Sequence, residues 1–344
     1  MTAAAAHSDP VRVGVIGAGY WGPNLIRNVS INPRAVLTAV ADSKPERRDF
    51  VAVRYPGCRI YDDAKKLIAA DDIDAVIIAT PVNTHFALAK AALESGKHVL
   101  LEKPMCASVA ECDDLIALAT GRGLTLMVDH TFLYTGAVRR ILELVDAGEL
   151  GEILYFDSVR VNLGLFQHDV NVLWDLAPHD LSIMDAIVKK PAVSVAAQGR
   201  AHFDRQIEDI AYLTVTFAGD AIAHFHVNWL APVKVRHMLI GGAKKMIFFD
   251  DNEPSEKVKV YDKGVQMPTD VEEVHRALVQ YRIGDMHAPH IDGTEALTLV
   301  TNEFIGAIRD KRPPRSDAES GRRVVSILEA ADRSLKQGGA PVPL

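Results

Sequence analysis

Several things are scarce in this chain, and each scarcity removes a class of protein. There are three cysteines, Cys58, Cys106 and Cys112. Three cannot all pair, and their spacing fits no metal-binding pattern, so they read as buried or incidental thiols. A basic surplus is missing too: 38 Lys and Arg against 45 Asp and Glu leave a net charge of −7, which argues against nucleic acid as a partner. No run approaches the ~20 apolar residues that cross a bilayer. The opening MTAAAAHSD lacks the basic start and longer apolar core of a secretory signal, so a cytoplasmic location without membrane association is expected. No internal repeat occurs, and the only biased tract is that short alanine-rich opening, read as a frayed end. What remains is 344 residues, 48% of them apolar, enough for about two domains with ordinary cores.

The strongest local signal lies in VRVGVIGAGYWGPNLIRN, Val11 to Asn28, where an apolar run leads into three glycines at G-x-G-x-x-G spacing and then into a helical pattern. Gly17 permits a tight turn, Gly19 lets a pyrophosphate approach the backbone, and Gly22 allows the helix to pack closely on the strand. A helix starting near Gly22-Pro23 offers unpaired N–H groups and a positive dipole end to phosphate. Tyr20 and Trp21 sit in the same turn and belong to the expected cofactor site. The glycines alone fit a plain strand-to-helix turn equally well. Context favours the dinucleotide, because AVLTAVAD, Ala35 to Asp42, reads as a second strand closed by an acid about 20 positions past the last glycine. Asp42 accepts hydrogen bonds from ribose hydroxyls and repels a 2′-phosphate, so NAD is expected over NADP. Arg47 and Arg48 are read as lying on the solvated face of the helix that follows.

Strand and helix patterns alternate up to "LTLMVDH", which predicts a parallel sheet with helices on both faces across residues 1–131. Ligands of such sheets bind beyond the carboxyl ends of the strands. That rule marks Thr80, Pro81, Glu102, Lys103, Pro104 and His130. Asn83 and His85 follow the Thr80-Pro81 strand end, where Thr80 and Asn83 serve equally well as caps of the next helix. From "EILYFDSVRVNL" onward the runs alternate polar and apolar residues, with turns expected at Gly219-Asp220 and Gly241-Gly242. A second domain, residues 132–344, is therefore expected to be α+β, with a large, mainly antiparallel open sheet and one inserted helix, DLAPHDLSIMDAIVKK. The last helices, from about Asp292, are expected to pack back on the first domain and end in a Gly-Pro tail. An uncovered sheet face is normally buried by a partner subunit, so an oligomer is expected.

"GVIGAGYWG", the acid closing the second strand, "IIATPVNTHFALAKAALESGKHVLLEKP" and "WDLAPHD" together resemble the Gfo/Idh/MocA family of sugar and cyclitol dehydrogenases over essentially the whole chain. The resemblance implies a Rossmann domain followed by an α+β domain, and a homodimer or homotetramer formed through the open sheet. It assigns Lys103 of "EKP", Asp175 and His179 to catalysis. It makes Lys103-Pro104 a candidate cis bond and places Asn83 and His85 near the nicotinamide. The implied activity is NAD-dependent interconversion of a secondary hydroxyl and a ketone on a sugar, nucleotide-sugar or cyclitol ring. The alternatives are a ketoreductase working in the opposite direction and a dinucleotide-binding sensor without turnover.

The chemistry is consistent with that assignment. Asp175 and His179 are four apart and share a helix face if the helix starts here, with Pro178 tolerated only in its first turn. His179 exchanges protons near neutral pH, Lys103 stabilises a developing alkoxide, and Asp175 either caps the helix or touches substrate. His130, Arg160 and Asn162 complete the expected substrate set. Arg139, Arg160, Lys234, Arg236 and His237 either meet a phosphorylated substrate or nucleotide or, as the reading favours, lie on solvated faces and in salt bridges. His224 and His226 point to one side of a strand, toward a substrate cleft or a subunit contact. His168, Asp169, Asp175, His179 and Asp180 lack a recognised metal-ligand spacing, so no metal is expected.

Overall fold

The computed structural model describes residues 9–164, 166–167, 169–203, 207–262, 264–266, 280–282 and 284–344. The chain divides into two compact units, Met1–Tyr134 with Thr294–Val325, and Thr135–Gly293 with Ser326–Leu344. Among the described residues no helix is long and apolar enough to cross a membrane.

The first unit alternates β1 (Val11–Ile16), α1 (Gly22–Ser30), β2 (Ala35–Ala41), α2 (Pro45–Arg54), β3 (Arg59–Tyr61), α3 (Ala64–Ile68), β4 (Ala75–Ile78), α4 (His85–Glu94), β5 (His98–Glu102), α5 (Val109–Arg122) and β6 (Leu126–Asp129). The strands pair in parallel in the order β3-β2-β1-β4-β5-β6. This is the doubly wound order whose strand reversal makes a ligand crevice at the carboxyl ends. Every residue of β4, β5's Val99–Glu102 and β6 is buried, as strands covered on both faces require. Local chemistry sets the helix ends. Ser108 accepts from the Glu111 N–H while Glu111 accepts from the Ala107 N–H, and Gly123 closes α5 at φ 66°. Helix α8 (Ala296–Asp310) packs on α1 through Arg27–Glu295 and Asn32–Asn302. Beyond it, Ser316 pairs with the main chain of Val128 and accepts or donates at the Tyr134 hydroxyl, 2.9 Å away.

The second unit holds α6 (Gly136–Asp146), β7 (Ile153–Val161), α7 (Val172–Val188), β8 (Ala192–Arg200), β9 (Ile210–Phe217), β10 (Ile222–Asn228), β11 (Val235–Gly242), β12 (Met246–Asp250) and β13 (Val258–Tyr261). A small ribbon of β14 (Gly264–Gln266) and β15 (Gln280–Arg282) precedes β16 (Met286–His287). Helix α9 (Ala318–Lys336) spans the unit boundary and leads to β17 (Val342–Pro343). Among the described residues the large sheet runs β16-β13-β12-β11-β7-β10-β9-β8-β17, antiparallel except for the β7–β10 pair.

Two expectations change here. Gly241-Gly242 is no turn but the end of β11, where a Cβ on Gly241 would stand 2.0 Å from the Tyr155 ring. Within the Gly-Pro tail, Val342 and Pro343 pair with Val195 and Ser194. Helix α7 begins earlier than expected, capped by Asn171, whose side chain accepts from the Leu173 and Trp174 N–H groups. Pro178 therefore lies inside the helix and removes its bond to the Trp174 carbonyl.

Helix α7 is fixed on the sheet by a buried carboxylate. Asp180, 1% exposed, accepts from Ser158 Oγ at 2.6 Å and from Arg160 Nε at 3.0 Å, and Arg160 is itself 3% exposed. Removing one partner of such a pair strands the other charge. Asp180→Ala should therefore cost about 3–5 kcal/mol in denaturant unfolding, with Asp180→Asn costing less; a loss below about 1 kcal/mol in Asp180→Ala would show that the pair does not hold the helix.

Candidate active site

The glycine turn is built as its spacing implies, yet its glycines answer to different constraints. Gly17 has φ 96°, and a Cβ there would lie 2.4 Å from the Ala79 carbonyl oxygen. A Cβ on Gly22 would lie 2.1 Å from the Gly17 oxygen. Packing alone demands both glycines. At Gly19 no atom of a described residue beyond its two chain neighbours stands within 4 Å of where a Cβ would be. Trp21 is the N-cap of α1 and supplies no side-chain hydrogen bond, so the first-turn N–H groups are not capped from there. Tyr20 is exposed and its ring stacks with that of Trp21 at 6.5 Å between centroids. An open backbone approach and an uncapped helix start are what a bound diphosphate requires, so the residues fit a dinucleotide.

Asp42 follows the last residue of β2. One carboxylate oxygen accepts from the Ala18 N–H at 2.7 Å and the other from the Lys44 N–H at 2.9 Å. These bonds hold the acid against the glycine turn. Arg47 is exposed, as expected, but Arg48 folds back: its Nη1 donates to the Asp42 and Ser43 carbonyls at 2.9 and 2.8 Å. Half-buried, it occupies the strand end beside Asp42.

At the end of β4, Thr80 Oγ1 meets Thr84 Oγ1 at 2.7 Å, and residues Val82–Thr84 form a 3-10 turn containing the exposed Asn83. Thr84 precedes α4 and gives it no side-chain cap, so neither Thr80 nor Asn83 caps that helix. Pro81 is exposed. His85, 1% exposed, has Nε2 at 2.8 Å from the Thr80 carbonyl and Nδ1 at 3.0 Å from that of Pro104. It thus ties the end of β4 to the segment after β5. Burial holds its pKa below the ordinary imidazole value, against the pull of those carbonyls.

The β5 strand ends at Glu102, and the following Lys103-Pro104 bond is cis. Lys103 is half-buried. Glu102 is paired in register with Asp129, the last residue of β6, and both carboxyl groups are buried. Burial first, then the charge of Asp129, pushes Glu102 well above the carboxylate range. Burial raises Asp129 to about 6. His130, expected at the substrate, is 1% exposed, and neither ring nitrogen has a hydrogen-bond partner among the described residues. Burial pushes its pKa down to about 3, so it is neutral in the working range.

In the second unit, α7 presents Asp175 and His179 four residues apart, on one face. Asp175 is not the cap; its Oδ2 accepts from the indole Nε1–H of buried Trp229 at 3.0 Å. The start of α7 is braced by Asp332, which accepts from Trp174 Nε1 at 2.8 Å and Asn171 Nδ2 at 3.1 Å. Asn162 follows β7, and its Oδ1 is buried without a hydrogen-bond partner among the described residues. Arg160 and Asp180 are committed to one another in the buried pair. His168 lies outside the described residues. Arg139 pairs with Asp292 at 3.0 Å, Arg236 lies 3.7 Å from Asp251, Lys234 is exposed, and the His237 ring lies 5.8 Å from that of Phe248. His224 and His226 share the face of β10 opposite its buried Ala223, Phe225 and Val227, and the Tyr212 ring stacks on that of His226 at 4.6 Å. Lys103 thus belongs to the first unit, and Asp175 with His179 to the second. Residue patterning missed Asp129, Trp229 and Asp332, whose only sequence signal is an acid closing a strand for the first and none for the others.

Comparison with known proteins follows the same division. Residues 11–130 match "Oxidoreductase family, NAD-binding Rossmann fold", and residues 138–248 match "GFO/IDH/MocA C-terminal domain". The UDP-N-acetylglucosamine 3-dehydrogenase of Acidithiobacillus ferrooxidans is 29% identical over 329 residues, covering 92% of this chain and 94% of that one. Its solved structure superposes with a TM-score of 0.81 at 26% identity, over 96% of this chain and 99% of the other. The Escherichia coli oxidoreductase YdgJ is 34% identical over 184 residues, and there the chain spans about half the length of its relative, 52%. GenD2 of gentamicin A biosynthesis, solved with NAD, shares the fold at a TM-score of 0.82 and 24% identity, over 100% of this chain and 99% of GenD2. With both halves matched in order, the chain belongs to the GFO/IDH/MocA family of oxidoreductases.

Proposed function

We propose that this oxidoreductase uses NAD to interconvert a secondary hydroxyl and a ketone on a sugar, nucleotide-sugar or cyclitol ring. The observation that carries the reading is Gly19, a glycine that no contact with the described residues requires, at the open start of α1. The full-length relative named for a nucleotide-sugar 3-dehydrogenase supports the substrate class. Gly17, Gly19, Gly22 and Asp42 hold the dinucleotide, with Tyr20, Trp21, Thr80, Pro81, Asn83 and Lys103 around it. Bound NAD supplies the hydride acceptor. Lys103 binds the substrate oxygen and favours its anionic form, His179 takes the hydroxyl proton, and Asp175, held by Trp229, orients the substrate with Asn162. His85, Glu102, His130 and Arg160 are buried and hold these groups from behind.

The Asp42 carboxylate disfavours a 2′-phosphate while Arg48 beside it would attract one, so the two charges oppose each other at the ribose. NAD should bind more tightly than NADP, and Asp42→Ala should weaken NAD and narrow the gap, as read by calorimetry; equal or tighter NADP binding by the unaltered protein contradicts the assignment.

His179→Ala should lower turnover by about 10²–10⁴, the usual worth of a general base, with NAD affinity nearly unchanged. Lys103→Met should lose activity in the same way. Single-turnover reduction of NAD with a panel of ring polyols measures both. Near-normal turnover in both variants would leave a dinucleotide-binding protein without this relay.

The face of the large sheet that shows Tyr212, Ile222, His224 and His226 is open among the described residues, with Tyr212 and Ile222 44% and 46% exposed. A second copy of the chain covers it in this reading, so light scattering at micromolar concentration should return at least a dimer; a monomer counts against it.

A further inference from the structure

The carboxyl ends of β5 and β6 bring two acids together in the buried part of the first unit. Glu102 and Asp129 are partners in the parallel ladder and both are buried. Asp129 Oδ1 accepts from the Thr131 hydroxyl at 2.7 Å, and Glu102 Oε2 accepts from the Lys103 N–H at 3.2 Å. The remaining oxygens, Glu102 Oε1 and Asp129 Oδ2, find no donor among the described residues. A buried carboxylate oxygen without a donor is costly unless a proton occupies the gap.

The groups around the two acids fix how many charges they can hold. Directly after β5 the neighbour is Lys103, whose charge favours ionisation of both acids. Directly after β6 it is His130, neutral through burial. In the turn after β6 it is Tyr134, held by Ser316 and raised by burial, so it stays neutral. From α4 comes His85, kept by burial below the ordinary imidazole value. Among these groups Lys103 alone carries positive charge. Two ionised acids would bring two negative charges against that one cation in a buried site of low dielectric. Two neutral acids would remove the negative charge that acts on Lys103. One proton shared between them leaves one negative charge facing one positive.

We propose that Glu102 and Asp129 hold a single proton between them, Glu102 as the acid donating to the Asp129 carboxylate, and that this singly charged pair is the counter-ion that positions the Lys103 ammonium. The charge pairing is a property of the first unit. Its consequence for turnover rests on the role proposed above for Lys103.

The sign of the pH dependence follows. Both acids keep protons in the folded chain where unfolded carboxyls, with pKa values near 4, have lost theirs. The stability contributed by the protonated pair is complete below about 4 and is lost as pH rises through about 6 and on toward the higher value of Glu102. Glu102→Gln should flatten that fall.

The test uses the whole protein without substrate. Infrared spectra near neutral pH should show the carbonyl band of a buried protonated carboxyl, and Glu102→Gln and Asp129→Asn should each lose it, since the remaining acid must then carry the charge. Persistence of the band in either variant, or its absence from the unaltered protein, overturns the shared proton. Competitive acetylation, read at Lys103 by peptide mass spectrometry, tests the counter-ion. Each single variant keeps one carboxylate and should leave Lys103 reactivity within about twofold, whereas Glu102→Gln/Asp129→Asn keeps none and should raise it about tenfold. Equal reactivity in the double variant overturns the positioning role, and if that variant does not fold, the two single variants decide the shared proton and the retained charge. Neither readout involves hydride transfer, so failure of the dehydrogenase reading and failure of this proposal are distinguishable.

Discussion

A carboxylate that folding removes from water must be met by a cation, by hydrogen-bond donors or by a proton, and the second unit is organised around one met by the first two. Asp180 takes the Ser158 hydroxyl and the Arg160 guanidinium, two residues that alternate onto one face of β7. That contact fixes the rotation of α7 about its axis. With Asp180 turned to the sheet, Asp175 and His179, about 40° apart around the helix, fall together to one side of the buried face. The alternation of β7 thereby sets the direction in which the two side chains proposed for catalysis point. The cap at Asn171 and its brace at Asp332 set how far along the helix they stand.

The same constraint recurs at the ends of β5 and β6 with a different solution. No arginine reaches Glu102 and Asp129 among the described residues, so a proton takes its place, and the only neighbouring cation is the lysine at the strand end. An arginine would have neutralised the site permanently, as at Asp180. A proton leaves it responsive to pH and leaves the lysine with a negative charge beneath it.

Much of this was legible in the sequence because it depends on local pattern. Continuous apolar runs gave the buried parallel strands, alternation gave the open sheet, and the glycine spacing with Asp42 gave the ligand end of the first unit. What was not legible depends on approach between distant segments. Gly241 reads as a turn residue, yet the Tyr155 ring from a neighbouring strand claims the space of its side chain. Pro178 reads as a first-turn residue because prolines usually are, but Asn171 starts the helix earlier and the chain accepts the lost bond at Trp174. Arg48 reads as a solvated helix residue until its length lets it reach back to the strand end. Glu102 was read from its motif and Asp129 was passed over, because nothing in either strand announces that their last residues are ladder partners.

Packing explains most residues of the first unit, and the exceptions are informative by their position. Gly17 and Gly22 are required by the backbone that closes on them; at Gly19 no described residue beyond its chain neighbours claims the space of a side chain. His130 is buried without a partner for either nitrogen among the described residues, and Glu102 and Asp129 are buried beside one another with too few donors. Each of these is a cost that a scaffold alone would have lost by substitution to alanine, leucine or asparagine. All lie at the carboxyl ends of parallel strands or in the turn that follows one, where the doubly wound sheet opens. Gly19, Glu102, Asp129 and His130 therefore share the edge of the sheet at which the doubly wound order opens its crevice, which is where the proposed chemistry is to be sought.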